Sequence, residues 1–259
     1  MMEKEQKIVA IIQARMSSSR LPGKVLTEIS GKPMLAYVVE RARMSKFVDE
    51  VVVATTTDQS DDPIEAYCLT SKTPLYRGDL YDVLDRYYQT AKAYQADMVV
   101  RLTADCPLLD PNVLDETISA MVSQKADFGA NRLPPPWKRT YPIGLDVEVC
   151  TFHALERAWQ EAGEKYHREH VMPYLYEEEG RFKVVVIDHE PDYGHMRWTV
   201  DTQEDLDLIR ELMSRLGNEG EFSWVDVLKI FEDDPQLAEI NKSVQHKSAH
   251  DIDSRQESK

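Results

Sequence analysis

This sequence predicts an α/β domain of three layers, a mostly parallel sheet flanked by helices. Short runs rich in β-branched residues alternate with segments whose apolar residues recur at helical spacing. Residues able to do chemistry gather just after those runs, where open α/β sheets bind their ligands. The chain has 259 residues, 42% hydrophobic and 30% charged. That is enough for one large core and little more.

The elements can be justified in order. Ile8–Ala14 is an apolar run of strand length. Pro33–Met44 reads as a helix, with Met34, Leu35, Val38, Val39 and Ala42 on one face and Pro33 at the entry position proline favours. Glu50–Thr55 and Met98–Thr103 are the next strands, with a helix between them marked by Leu80, Val83, Leu84, Tyr87 and Ala91. Val113 to Val122 forms a third helix. Asn131–Ile143 contains Pro134, Pro135, Pro136 and Pro142, so it cannot be helical and is expected to be an ordered excursion or lid. Leu145–Val149, Lys183–Ile187 and Met196–Val200 complete the expected strands. Thr202-Gln-Glu-Asp205 then opens a helix in the manner of a capping box. Residues 1–240 are expected to form a single domain and 241–259 a polar, flexible tail.

Charge narrows the function. With 31 Lys+Arg against 46 Asp+Glu, the formal net charge is −15. A nucleic-acid or anionic-membrane surface needs clustered cations, so neither partner is expected. Any polyphosphate ligand must meet a local basic patch. Three cysteines, Cys68, Cys106 and Cys150, offer no CxxC pair, and the apolar run Ile8–Ile12 is too short for a signal peptide or membrane span. The expected location is the cytoplasm.

The basic patch follows the first strand. Ala14-Arg-Met-Ser-Ser-Ser-Arg-Leu-Pro-Gly-Lys24 carries three cations, three hydroxyls and one glycine. Hydroxyls and loop amides donate to phosphate oxygens, and Gly23 permits close backbone approach. The segment is not a Walker A loop, since Ser18 stands at the first glycine and Val25 follows the lysine. Two acids follow other strands, in Ala104-Asp105-Cys106-Pro107 and at Asp201-Thr202. Either alone reads equally well as a cap or a surface charge, and Asp201 could simply cap the Thr202 helix. Both at the edge that carries a basic loop would suit Mg²⁺, which takes one or two carboxylates together with phosphate oxygens.

Other constellations carry less. His167 and His170 lie three apart but without a third ligand or an HExxH pattern, so structural contact or acceptor binding is expected rather than zinc. Asp58, Asp61 and Asp62 read as caps of the following helix, and Glu177-Glu-Glu179 as a solvated turn. Trp137, Lys138 and Arg139 suit either lid packing or an acidic sugar.

Ile11-Ile-Gln-Ala-Arg-Met-Ser-Ser-Ser-Arg-Leu-Pro-Gly-Lys-Val-Leu26 with Gly31-Lys-Pro-Met34 resembles the opening of the cytidylyltransferases that activate acylneuraminate and 3-deoxy-manno-octulosonate sugars. Arg101-Leu-Thr-Ala-Asp-Cys-Pro107 and Val200-Asp-Thr-Gln-Glu-Asp-Leu206 are similar to that family's two metal-carboxylate segments. Gly78–Tyr88, Pro142–Glu148 and His167–Val171 point to the spore-coat polysaccharide biosynthesis protein F branch. In the octulosonate enzymes Gln and Gly precede the first acid, where Thr103 and Ala104 stand here. The resemblance implies a nucleotide-diphospho-sugar transferase-like, Rossmann-like fold. It implies CTP as nucleotide and Mg²⁺ as cofactor, and a small acidic sugar as acceptor. Arg15, Arg20 and Lys24 would contact the triphosphate, Ala14, Ser19 and Thr103 would line the nucleotide site, and Asp105 and Asp201 would bind the metal. The implied reaction is attack of a sugar hydroxyl on the α-phosphorus, with release of pyrophosphate, in surface polysaccharide biosynthesis. A homodimer is a further candidate assembly. The competing readings are a glycosyltransferase, whose Asp-x-Asp candidates here are Asp205-Leu-Asp207 and Asp251-Ile-Asp253, and a non-catalytic nucleotide-binding protein.

Overall fold

The structure is a computed structural model that describes residues 6–217 and 221–244. Its strands are β1 (Ile8–Gln13), β2 (Glu28–Ile29), β3 (Lys32–Pro33), β4 (Glu50–Thr56), β5 (Leu75–Gly78), β6 (Met98–Thr103), β7 (Phe128–Ala130), β8 (Glu148–Thr151) and β9 (Val184–Val186). The helices are α1 (Met34–Arg43), α2 (Asp62–Ser71), α3 (Val83–Ala93), α4 (Pro111–Gln124), α5 (Phe152–Glu161), α6 (Lys165–His170), α7 (Pro173–Tyr176), α8 (Gln203–Leu216) and α9 (Trp224–Asp233). Seven strands form one sheet in the order β5-β4-β1-β6-β8-β7-β9, and β2 and β3 make a separate ribbon. β8 alone runs antiparallel, pairing that way with both β6 and β7.

The alternation within β1 explains the three layers. Ile8, Ala10 and Ile12 enter one core with Leu35 and Val38 of α1, Leu114 of α4 and Ile209 of α8. Val9 and Ile11 enter the other with Leu84 and Tyr87 of α3 and Leu155 of α5. A central strand covered on both faces favours apolar residues, which is why Ile8–Ile12 reads as an unbroken run.

Several expectations shift. Leu145–Val149 begins too early, because β8 starts at Glu148. Met196–Val200 is not a strand of the sheet: it makes one isolated bridge, Ile143↔Arg197. It is held instead between the turn at Pro142–Leu145 and the end of β6. Ile143 N donates to Met196 O at 2.9 Å, Trp198 N to Ile143 O at 2.7 Å and Val200 N to Asp105 O at 2.9 Å. Gly144 makes that packing possible. Its φ is +111°, and a Cβ there would lie 2.7 Å from the Trp198 carbonyl carbon. The excursion 131–143 is non-helical as expected, and Arg132 and Arg139 bridge across it.

The tail boundary also moves. Asn241 is 6% exposed, and its Nδ2 donates to Arg197 O at 3.1 Å and to Asp205 Oδ1 at 2.9 Å. The segment from 245 onward, including Asp251 and Asp253, lies outside the described residues.

Candidate active site

At the carboxyl edge of the sheet the chain leaves β1 and runs into the basic loop. Gly23, at φ +75°, reverses the backbone into the short turn Lys24–Leu26. Gly23 N donates to Met16 O at 2.8 Å, which closes the loop on itself. Asp61 fixes it from outside, accepting Met16 N at 2.7 Å and the hydroxyl of Thr56. Among the three acids expected to cap, only Asp58 does so, accepting Ser60 N at 2.8 Å, while Asp61 is buried and anchors the loop.

The turn directs Lys24 inward, to 7% exposure. Its Nζ donates to Asp105 Oδ2 at 2.7 Å, Asp201 Oδ1 at 2.9 Å and Val200 O at 2.7 Å. Burial works against the ammonium, but Asp105 and Asp201 more than offset it, so Lys24 holds its proton more tightly than an ordinary lysine. Asp201 also meets Arg20 Nη2 at 2.8 Å and Arg197 Nη2 at 2.8 Å. Burial would raise its carboxyl, yet Lys24, Arg197 and Arg20 together hold it well below the usual carboxylate range.

Asp201 does not cap the following helix. Thr202 does, in a capping box with Asp205 that leaves the Asp201 carboxylate turned toward the loop. Arg197 anchors the corner, with Nε to Asp205 Oδ1 at 2.9 Å and Nη2 to Asp205 Oδ2 at 3.0 Å. Arg197 lies outside the sequence motifs, although a cation four residues before Asp201 and eight before Asp205 is a usable signal.

Gln13, Arg15, Ser18, Ser19, Arg20, Lys24, Thr103, Ala104, Asp105 and Asp201 line one cavity of about 220 Å³. A second, of about 200 Å³, shares Gln13 and Arg15 and adds Ala14, Tyr81, Arg86, Arg101 and His170. Every residue expected at the site thus lines one of two cavities that share a wall, and Asp105 and Asp201 meet at a single cation. A pair of carboxylates that closes on one ammonium is a donor set that also suits a divalent ion completed by phosphate and water. No cluster of three or more potential metal-ligating side chains occurs among the described residues. His167 instead meets Glu177 at 2.7 Å.

The sequence of the chain matches the cytidylyltransferase family over residues 9–234. The chain belongs to that family. It is 32% identical to the spore coat polysaccharide biosynthesis protein SpsF of Bacillus subtilis, over 89% of this chain and 96% of that protein. An uncharacterised protein of Methanocaldococcus jannaschii is 36% identical over 95% of this chain and 99% of its own. The structure of a cytidylyltransferase from Leptospira borgpetersenii superposes with a TM-score of 0.85 at 34% identity, covering 93% of this chain and all of that one. This cytidylyltransferase is therefore an enzyme by family. No helix among its described residues is long and apolar enough to cross a membrane.

Proposed function

We propose that this cytidylyltransferase moves the CMP group of CTP onto a hydroxyl of a small acidic ketosugar, releasing pyrophosphate, with Mg²⁺ as the cation. The observation that carries this reading is the convergence of Asp105 and Asp201 on one cation, at the strand edge where the basic loop begins. Arg15, Arg20, Ser19 and Lys24 would hold the triphosphate, and Thr103 and the Ala14 backbone would border the nucleotide. The cavity beside Tyr81 and Arg86 is the space into which base and ribose would extend. Asp105 and Asp201 would hold Mg²⁺, which would supply charge stabilisation for the reacting phosphate. Such transfer depends mainly on positioning and on stabilising charge, and a wall of fixed cations and carboxylates provides both.

An acidic acceptor is supported by charge at the same edge. β7 ends there and β8 starts there. Arg132 Nε lies 3.2 Å from Asp146 Oδ2, Arg139 is paired with the same carboxylate, and Arg101 is paired with Glu148. Three guanidinium groups gather at this edge, a lining that suits a ligand bearing its own carboxylate. The relatives' context points to surface polysaccharide biosynthesis. The cytoplasm is the compartment we assign, consistent with buried, unpaired thiols at Cys68, Cys106 and Cys150.

The glycosyltransferase reading loses its candidate motif at Asp205-Leu-Asp207, because Asp205 is fully buried and committed to Arg197 and the helix cap, and Asp251-Ile-Asp253 lies outside the described residues. A screen of ketosugar acids with each of CTP, UTP, ATP and GTP, read by pyrophosphate release, tests the proposal. Release with CTP and one acid, and slower release with the other nucleotides, is the expected result. Equal turnover of UTP or ATP, or no release with any acid, would refute it.

A further inference from the structure

Around the two carboxylates the charges already balance. Arg20, Lys24 and Arg197 contribute three cations, and Asp105, Asp201 and Asp205 three anions, linked by ion pairs of 2.7–2.9 Å. Lys24 is the central member. It touches both carboxylates, and it also donates to the backbone carbonyl of Val200. An ammonium with three acceptors at 2.7–2.9 Å has its donors satisfied, so it has no local reason to leave. A divalent ion taking the same carboxylates would have to displace it, stranding a buried cation beside another cation.

We propose that Lys24 is a tethered stand-in for the divalent cation, closing the Asp105–Asp201 pair to free metal until a triphosphate arrives. The triphosphate changes the balance because its oxygens give the Lys24 ammonium a new anionic partner. The carboxylates then become available to metal at the moment when phosphate is present to complete its shell. Lys24 in this account has two bonding positions, one on the carboxylates and one on the nucleotide, and it couples their occupancy. Free metal therefore binds weakly because of Lys24, and not for want of ligands. This rests on the reading of Asp105 and Asp201 as cation ligands.

The test is Mn²⁺ binding to the nucleotide-free protein, followed by the electron paramagnetic resonance signal of unbound Mn²⁺. Lys24→Met and Lys24→Gln keep the bulk of the side chain and remove its charge, and thermal melting shows which of them folds. Either folded variant should bind one Mn²⁺ at least about tenfold more tightly than the unaltered chain. Adding Asp105→Asn to Lys24→Met should abolish that gain. Equal or weaker Mn²⁺ binding in the folded variants would overturn the proposal, as would a gain that survives Asp105→Asn. Pyrophosphate release by the unaltered enzyme is a separate readout. If CTP is turned over but no Mn²⁺ gain appears, the stand-in role fails and the cytidylyl-transfer reading survives. If the gain appears and no nucleotide is turned over, the reverse holds.

Discussion

Lys24 carries more of the site than any other side chain, because it joins the basic loop to both carboxylates. Lys24→Ala should lower kcat/KM for CTP by ten- to a hundredfold, since one charge-assisted hydrogen bond contributes about 1.5–3 kcal/mol. Steady-state kinetics on a folded variant measure this, and an unchanged kcat/KM would remove Lys24 from the site. The same triad fixes a pH window. Asp201 titrates below its unfolded value of about 3.9, so its contribution to stability is present above that value and is lost as the pH falls through the folded one. Lys24 titrates above its unfolded value of about 10.4, so its contribution is present below that value and is lost as the pH rises through the folded one. The difference in thermal midpoint between the wild type and Lys24→Met should therefore stay constant between about pH 5 and pH 9. A difference that changes within that window would mean another group is titrating against the triad. The residues of this triad were legible in sequence as types, three cations after one strand and an acid after two other segments. What was not legible was their bonding to each other. Side-chain pairing between positions 81 and 177 residues apart depends on sheet order and on the inward turn at Gly23.

At the scale of elements, the segment that delivers Asp201 is the part whose architecture the periodicity misassigned. Met196–Val200 has a strand-like pattern of apolar residues, yet it satisfies its backbone on the Ile143 turn and on Asp105 O. Short apolar runs look alike whether they join a sheet or lie over its end. The sheet strands missed, Leu75–Gly78 and Phe128–Ala130, are short, and the first is half-buried at an edge, so little alternation was there to read, as with the two-residue strands β2 and β3. Gly144 is the hinge of this arrangement. Gly144→Ala puts a Cβ against Trp198 and a side chain at a φ reserved for glycine, costing about 1–3 kcal/mol. The expected outcome is a lower thermal midpoint together with a reduced kcat, because the displaced segment carries Asp201. A lower midpoint with unchanged kcat would show that Asp201 is placed independently of this turn. The end of the folded part gives a second case. Asn241 reads as polar tail, but it bonds the Arg197–Asp205 pair that holds Asp201. Truncation after Val244 should leave the midpoint and kcat almost unchanged, whereas truncation after Ile240 should lower both. Calorimetry and kinetics on the two truncations decide this, and identical behaviour would make Asn241 incidental.

On the scale of the whole molecule, a chain of net charge −15 builds one corner where cations meet carboxylates by bringing together three distant segments. Central strands β1 and β6 lie side by side, so the loops leaving them share an edge. Helix α8 closes the third side, where its capping box turns the Asp201 carboxylate toward the loop. Fold class was legible because Ile8–Ile12 of β1, Val51–Ala54 of β4 and Met98–Val100 of β6 are apolar runs, as strands covered on both faces favour. The antiparallel insertion of β8 was not, since strand direction leaves no trace in a four-residue pattern. Asp105 and Asp201, 96 residues apart in the numbering, are proposed to act as one cation site. Magnesium titration of pyrophosphate release by Asp105→Asn, Asp201→Asn and the double variant tests it most directly. Both single variants should need more Mg²⁺ and turn over more slowly, and the double should lose little beyond the worse single, because groups acting as a unit are not additive. Wild-type magnesium dependence in either single variant, or fully additive losses in the double, would contradict the claim.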